Sequence, residues 1–175
     1  MVQNNTMLNM EKPRIILLIG EINTENVMNT IVKIQELDTI SNEPIILEIN
    51  SPGGSVDDGL ALIDIMQSVK SPIYTVALGQ ASSMASLILA AGEKGYRKAN
   101  RHCRILLHQM QTGYVGKLND VSEMYRSTLE MNDVVYNMYS SFTGRKAEDI
   151  KEKLQNDYIL SGEKAVEYGL IDDII

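Results

Sequence analysis

The chain has 175 residues, of which 44% are hydrophobic and 22% charged, with 12 glycines and only 4 prolines. This composition is typical of one folded domain with its own hydrophobic core and excludes disordered and collagen-like chains. The 23 acidic side chains outnumber the 16 basic ones, and the resulting net charge of −7 argues against nucleic acid or anionic membrane as a partner.

The N-terminal segment and the cysteine content indicate a cytoplasmic location. Residues 1–12 form a short polar segment without the apolar stretch of a signal peptide. No apolar run approaches the roughly 18 to 20 residues that a membrane span needs. Cys103 is the only cysteine, so the chain has no internal disulfide and a reducing compartment is expected.

Strands and helices alternate along the first two thirds of the chain. Apolar runs rich in β-branched residues predict buried strands at 15–19, 45–49, 73–78 and 105–107. Helical periodicity occupies 24–37 and 55–69, and Ser55 with Asp58 forms a helix-start signal for the second helix. The strand spacing fits a strand followed by a crossover helix, so we predict an α/β fold with parallel strands covered on both faces.

One long helix dominates the C-terminal part. Its pattern runs over 118–142 and stops near Gly144, a residue suited to a left-handed helix end. Its apolar residues cover more than one side, which requires more than one packing partner. We favour a subunit interface over a helix wrapped entirely by its own domain. Two shorter helices and a short strand are predicted beyond it, at 146–154, 163–168 and 158–160.

A glycine turn follows the second strand, where residues 50–55 read Asn-Ser-Pro-Gly-Gly-Ser. Ligands of parallel α/β proteins gather beyond the carboxyl ends of the strands, so each of these ends is a candidate site. Adjacent glycines permit conformations in which N–H groups point outward, and such groups bind a phosphate or an oxyanion. A simple turn needs the same residues, so the motif alone leaves both interpretations open.

A serine follows the third strand, on a turn that leads into an apolar helix at 87–91. A nucleophile on such a tight strand-to-helix turn requires small residues two positions before and after it. Ser83 meets this requirement with Ala81 and Ala85. Ser82 does not, and we interpret it as a helix-start residue. The alternative is that both serines merely cap the helix.

A histidine follows the fourth strand and supplies the base that a serine nucleophile needs. His108 comes directly after that strand, within reach of Ser83. His102 precedes the strand at its opposite end and is expected to be exposed, and its neighbour Cys103 should point the other way, which disfavours a Cys–His pair. Two histidines and one cysteine give no zinc-site spacing, so no metal is expected.

Several carboxylates after His108 are candidates for the acid that orients its imidazole in a Ser-His-Asp triad. They are Asp120, Asp133, Asp149, Asp157, Asp172 and Asp173. Asp157, just before the short apolar strand, has the surroundings of a buried residue. Spacing alone does not choose among the six.

Five segments spread over nearly the whole chain match a known pattern. They are 14–20, 49–54, 79–84, 104–109 and 160–172. In this order and spacing they resemble the proteolytic subunit of the Clp protease, a family of serine peptidases. The chain diverges from the family's pattern at three places: a shorter segment precedes Pro13, Gln155-Asn156 replaces an acidic residue and an arginine, and Met110 replaces a proline.

The resemblance implies the site and its chemistry. By it, Ser83 is the nucleophile, His108 the general base and Asp157 the orienting acid, while the backbone N–H groups of Gly54 and Met84 form the oxyanion hole. The implied activity is that of a serine endopeptidase that cuts unfolded polypeptides into short peptides.

The resemblance also implies a fold and an assembly. The fold is a crotonase-like β/α spiral, a single domain over 1–175 in which 118–142 is the handle helix. The family's subunits form heptameric rings that stack into a tetradecamer around a chamber. The subunit itself uses no cofactor, and ATP enters only through a partner unfoldase of the AAA+ class.

Two other functions remain open from the sequence. A crotonase-fold acyl-CoA hydratase or thioesterase shares the glycine-turn oxyanion hole, but it would need paired glutamates at the turn and a cationic site for CoA. A non-catalytic ring subunit would need a broken triad, whereas all three residue types are present.

Overall fold

The structure, a computed structural model, describes residues 13–175, which form seven strands and six helices. The strands are β1 (Ile15–Ile19), β2 (Ile45–Ser51), β3 (Ile73–Ser82), β4 (Arg97–Ala99), β5 (Arg104–Leu107), β6 (Tyr158–Leu160) and β7 (Asp173–Ile174). The helices are α1 (Thr24–Ile40), α2 (Val56–Ser68), α3 (Met84–Ala90), α4 (Leu118–Thr143), α5 (Ala147–Lys153) and α6 (Gly162–Tyr168). The N-terminal segment 1–12 lies outside the described residues.

A mostly parallel sheet organises the chain. Strands β1, β2, β3, β4 and β7 follow one another across it in parallel pairs. β3 pairs with β4 along its first half and with β5 along its second half, where Gln80 lies opposite Arg104. β6 is the antiparallel partner of β5. The predicted α/β class is confirmed, with β6 as the antiparallel exception.

The predicted elements are all found, with shifts at their ends. β3 runs to Ser82, beyond the predicted end at residue 78, because β5 pairs with its second half. α3 consequently starts at Met84 rather than at residue 87. The sequence pattern does not predict β4 and β7, because strands of 3 and 2 residues are too short to show a periodicity.

Local signals set the helix ends. Ser55 caps α2, its side chain accepting a hydrogen bond from the Asp58 N–H at 3.3 Å, as the Ser-x-x-Asp signal predicts. Asn23 caps α1 in the same way. α4 ends at Gly144, whose φ of +75° is the left-handed cap predicted for it. The cap at Ser55 fixes the point where α2 leaves the glycine turn.

Helix α3 lies at the centre of the hydrophobic core. All 7 of its residues are buried. It packs against α2, β2 and β3, whose side chains Leu47, Ile49 and Ile63 are fully buried. Burying a side chain of this kind contributes about 1.5 to 3 kcal/mol to folding. The turn that precedes α3 is therefore attached to a helix that is buried along its whole length.

Two apolar surfaces are left uncovered by the single chain. On β1, Ile15, Leu17 and Ile19 are 44–53% exposed and alternate with buried residues. The expectation that the strands are covered on both faces is wrong, because on β1, β2 and β3 buried residues alternate with exposed or half-buried ones, so only one face of the sheet is fully covered. On α4, only Val135, Tyr136 and Tyr139 are buried. The exposed apolar side chains of α4 are Leu118, Met124, Tyr125, Leu129 and Val134.

A buried ion pair joins the C-terminal end of the chain to the sheet and to α4. The Arg97 guanidinium donates to both carboxylate oxygens of Asp172, at 2.6 and 2.9 Å, and the two side chains are 4% and 18% exposed. Arg97 also donates to the carbonyl of Phe142, near the end of α4, at 2.9 Å. Burial alone would raise the pKa of Asp172, but the hydrogen bonds and charge of Arg97 outweigh it and hold the pKa below its usual value.

Replacing Asp172 with asparagine should destabilise the fold by roughly 3 kcal/mol or more, because Arg97 would stay buried without a countercharge. Because the folded pKa is lowered, the stabilisation is present above the unfolded pKa of about 3.9 and is lost as pH falls through the folded value. In urea unfolding, the difference in the free energy of unfolding between wild type and Asp172→Asn should therefore be large at pH 7 and should decrease as pH falls below about 4.

The matched control is Asp133→Asn, which breaks an ion pair to Lys151 in which both side chains are 60% exposed. Exposed pairs contribute about 0 to 1 kcal/mol, so this variant should unfold nearly as the wild type does. Equal effects of the two substitutions would contradict the role given to Arg97.

Candidate active site

A cavity of about 390 Å³ lies where β2, β3 and β5 end. It is lined by the residues that follow each of these strands, Gly53, Gly54, Ser83, Met84 and His108. The three strand ends meet because β3 lies between the other two in the sheet. The structure thus brings together four of the five predicted site residues.

Ser83 stands on a strained turn. Its φ and ψ are +54° and −127°, and among residues 13–175 it is the one non-glycine residue with positive φ. Holding such a conformation costs on the order of 1 to 3 kcal/mol, so neighbouring contacts must maintain it. The N–H of Ser83 donates to the carbonyl of Leu106 in β5 at 2.7 Å. This bond ties the turn to the strand that leads to His108.

The two serines at this turn have different environments. The Ser83 side chain makes no capping hydrogen bond to α3 and lines the cavity, which speaks against a simple cap. Ser82 is the last residue of β3, is buried, and its hydroxyl finds no partner within residues 13–175. The interpretation of Ser82 as a helix-start residue is wrong, because the strand continues through it.

The glycine turn passes directly against Ser83. A Cβ atom on Gly53 would lie 2.6 Å from the carbonyl oxygen of Ser82 and 2.7 Å from the Cβ of Ser83, so no larger residue fits. Gly53 and Gly54 have φ values of +93° and +152°. The turn is held to the chain beyond β1 by two bonds: the Ile22 N–H donates to Gly53 O at 2.9 Å, and the Ser55 N–H donates to Ile22 O at 2.8 Å.

Two backbone donors at the cavity are left free by this arrangement. Neither the N–H of Gly54 nor that of Met84 donates to any acceptor within residues 13–175, although both residues line the cavity. Two unpaired N–H groups beside a serine are the elements of an oxyanion hole. The chemistry available to such a site is stabilisation of a negatively charged oxygen.

The imidazole of His108 is held in one tautomer. Its Nδ1 lies 2.5 Å from the carbonyl oxygen of Gln109. Because a carbonyl oxygen can only accept, we assign the proton of the neutral ring to Nδ1, which leaves a lone pair on Nε2. Within the described residues no hydrogen bond joins the ring to Ser83, although both line the same cavity. Such bonds are often long in unliganded enzymes.

Asp157 does not line this cavity. In the antiparallel pairing of β5 with β6, the last pair is Leu107 with Tyr158, and His108 and Asp157 are the next residues of the two segments beyond it. Asp157 instead lines a second, charged cavity with Arg145, and in the part of the chain described here it makes no hydrogen bond to His108. Its side chain is exposed, contrary to expectation, because residues 155–157 form a surface loop before β6.

The other candidate acids and the other reactive groups lie elsewhere. Asp172 is engaged by Arg97, and none of Asp120, Asp133, Asp149 and Asp173 lines the cavity. His102 is exposed in a turn, as predicted. Cys103 is buried, and desolvation raises the pKa of its thiol to about 11, which keeps it protonated and unreactive.

Residues 13–175 contain neither a metal-binding cluster nor a helix that could span a membrane. No cluster of three or more histidine, cysteine, aspartate or glutamate side chains there is arranged to hold a metal ion. None of the described helices combines the length and the apolar character needed to cross a bilayer.

The cavity has further lining residues to which the sequence patterns assign no role in catalysis. They are Glu21, Pro52, Val56, Leu87, Met110, Gln111, Val135 and Tyr139. The most deeply buried polar side chain among them is Tyr139 on α4, which is 2% exposed. Its signal in the sequence is a tyrosine three residues after Tyr136, which places both on one face of a helix. That pattern is common in helices that only pack, so it does not indicate a site.

The strain at Ser83 should appear in the stability of two variants that both lack the hydroxyl. Ser83→Gly should be more stable than Ser83→Ala by about 1 kcal/mol, because only glycine adopts this φ without steric cost. At Ser127, an exposed position in α4, the order should reverse, with glycine the less stable by about 1 kcal/mol. Chemical denaturation of the four variants measures both differences, and the same order at both positions would contradict the strained turn.

Comparison with known families agrees with this geometry. A family model described as Clp protease matches residues 2–175, which is nearly the whole chain. The mixed α/β fold with a mostly parallel sheet is the one that the sequence resemblance implies. On this match, the chain belongs to the Clp protease family.

Proposed function

We propose that this protein is a serine endopeptidase, the proteolytic subunit of a Clp-type protease that degrades unfolded polypeptides. The observation that carries the proposal is the cavity in which a strained serine, a histidine and two unpaired backbone N–H groups meet. Membership of the Clp protease family supports peptide hydrolysis as the chemistry.

The proposed reaction is acyl transfer through Ser83. Nε2 of His108 takes the proton of the Ser83 hydroxyl as its oxygen attacks the carbonyl carbon of the scissile peptide bond. The N–H groups of Gly54 and Met84 donate to the oxygen that becomes negative. The protonated imidazole then gives its proton to the leaving amine, and a water molecule, activated in the same way, releases the acyl group from Ser83.

Asp157 is the proposed orienting acid. In the present geometry, Nδ1 of His108 donates to a neutral carbonyl, which fixes the tautomer but adds no charge to stabilise the imidazolium. We propose that Nδ1 exchanges this carbonyl for the carboxylate of Asp157 in the active form. The end of the β5–β6 pairing supports this, since His108 follows Leu107 and Asp157 precedes Tyr158, and Leu107 and Tyr158 are paired.

The proposed working form is an assembly of identical subunits in the cytoplasm. The apolar side chains exposed on α4 and β1 support it, because contiguous apolar surface on a folded chain marks an interaction site. We propose heptameric rings, stacked through α4 into a tetradecamer. A partner unfoldase of the AAA+ class would use ATP to deliver unfolded chains, and the subunit itself would need no cofactor.

The hydratase or thioesterase alternative is not supported by the cavity. Among the described residues, Glu21 is the one carboxylate that lines it, whereas the hydratase mechanism needs a pair. No lysine or arginine of this part of the chain lines the cavity to bind the phosphates of CoA.

A fluorophosphonate probe tests the proposed nucleophile. The wild-type protein should be modified at Ser83, and Ser83→Ala should not be modified. His108→Ala should slow modification and peptide hydrolysis by several orders of magnitude, because the hydroxyl then keeps its proton. Asp157→Asn should lower hydrolysis by as much as about 10⁴-fold.

The control is His102→Ala, which removes the other, exposed histidine and should react at the wild-type rate. Peptide mapping by mass spectrometry identifies the modified residue. A folded wild-type protein that the probe leaves unmodified would contradict the proposal.

Native mass spectrometry tests the proposed assembly. Leu129→Glu places a charge among the exposed apolar residues of α4 and should shift the mass to smaller species, because an unpaired charge is costly to bury. The control is Ser127→Glu, two residues away on the same helix, which adds the same charge at an exposed polar position. A wild-type mass equal to one subunit would contradict ring formation.

A further inference from the structure

The carbonyl oxygen of Ser83 is surrounded by hydrogen-bond donors. It accepts from the N–H of Ser86 at 2.9 Å and from the Ser86 hydroxyl at 2.7 Å. The Tyr139 hydroxyl lies 2.8 Å from the Ser86 oxygen and 3.4 Å from the same carbonyl. Ser86 and Tyr139 are 0% and 2% exposed, so water does not replace these contacts.

The direction of the protons follows from the chemistry of the three groups. Ser86 has one hydroxyl proton, and a carbonyl oxygen can only accept, so Ser86 donates to Ser83 and must accept from Tyr139. Desolvation raises the pKa of Tyr139, which keeps the phenol protonated and able to donate. The result is a chain of hydrogen bonds from Tyr139 through Ser86 to Ser83, in which each bond strengthens the next.

The carbonyl at the end of this chain belongs to the peptide unit whose N–H is that of Met84. A trans peptide is planar, and its C=O and N–H point in opposite directions. Fixing the carbonyl towards Ser86 and Tyr139 therefore fixes the direction of the Met84 N–H. That N–H donates to no acceptor within residues 13–175. Bonds accepted by the carbonyl also make the N–H of the same peptide a better donor.

We propose that Tyr139 and Ser86 are a positioning pair for the oxyanion hole, holding the 83–84 peptide so that the Met84 N–H points at the reacting oxygen. This inference rests on the proposed function and adds two residues to it, neither of which touches the substrate's reacting atoms. The strained φ of Ser83 makes the pair necessary, because a strained residue relaxes unless the peptide groups on both of its sides are held. The N–H of Ser83 is held by Leu106, and its carbonyl by this pair.

The test compares Tyr139→Phe and Ser86→Ala with the wild type in phosphonylation of Ser83 and in hydrolysis of a short fluorogenic peptide. Each variant should lower kcat and the phosphonylation rate by about tenfold and leave KM unchanged. The loss is smaller than the roughly 10² to 10³ caused by removing an oxyanion-hole donor, because the donor is misdirected rather than absent. The double variant, Tyr139→Phe with Ser86→Ala, should show no larger fall in kcat than Ser86→Ala alone, because Tyr139 acts through Ser86.

The matched control is Tyr136→Phe. Tyr136 lies one turn earlier on α4, is 4% exposed, accepts a hydrogen bond from the Asn132 amide at 2.8 Å and does not line the cavity. The Tyr136→Phe variant should hydrolyse the peptide at the wild-type rate. A peptide aldehyde, which forms a tetrahedral adduct with serine, should bind Tyr139→Phe about tenfold more weakly, in proportion to the loss in kcat/KM.

The outcomes separate the two proposals. Wild-type protein that does not react at Ser83 overturns the proposed function, and this inference with it. A reactive wild type with Tyr139→Phe and Ser86→Ala both at the wild-type rate overturns the inference alone. Equal losses in Tyr139→Phe and Tyr136→Phe, or a rise in KM without a fall in kcat, would assign the tyrosine a purely structural role and also overturn it.

Discussion

The positive φ of Ser83 is a conformation that the chain has to hold against its own steric preference. Left to itself, a serine would relax towards negative φ, and the turn between β3 and α3 would open. The structure prevents this by attaching the turn to buried elements on both sides. β3 is fixed by its neighbours in the sheet, α3 is buried along its whole length, and Gly53 is packed against the Ser83 Cβ. The Ser83 hydroxyl thus stands on a turn that is attached to buried elements on both sides.

The sheet topology explains why one serine, one histidine and one glycine turn can meet. On one side β3 pairs with β2 along most of its length, and on the other it pairs with β4 along its first half and with β5 along its second half. The irregular register between Ile49 and Ser51 lets β2 stay paired with β3 up to the glycine turn. Chain segments that are far apart in sequence therefore end within one cavity. The same arrangement makes the site sensitive to changes in β5, because the carbonyl of Leu106 in this strand accepts a hydrogen bond from the Ser83 N–H.

The sequence predicts the features that have a local cause and misses those that depend on contacts between distant segments. The strands at 15–19 and 158–160, the caps at Ser55 and Gly144, and the parallel order follow from periodicity and turn chemistry. Ser83 is distinguished from Ser82 by the small residues around it. Nothing local shows that β5 extends β3 through Ser82. The exposure of Asp157 is missed for the same reason, because it depends on where the segment between α5 and β6 lies.

The group that accepts the hydrogen bond from His108 Nδ1 determines how well the protonated ring is stabilised. A carbonyl fixes the ring's tautomer as well as a carboxylate does, so the ring is prepared to accept a proton on Nε2. The neutral carbonyl does not compensate the positive charge that the ring gains with the second proton. A carboxylate would do so, because a charge-assisted hydrogen bond is roughly twice as strong as a neutral one. Under the proposed mechanism, the site therefore becomes active when the carboxylate of Asp157 replaces the carbonyl at Nδ1. This change involves only the segment before β6, and its effect is electrostatic. α5, which leads into that segment, packs against α4. Under the proposed function, a partner that covers the apolar face of α4 would therefore also restrict α5 and the segment from which Asp157 has to reach His108.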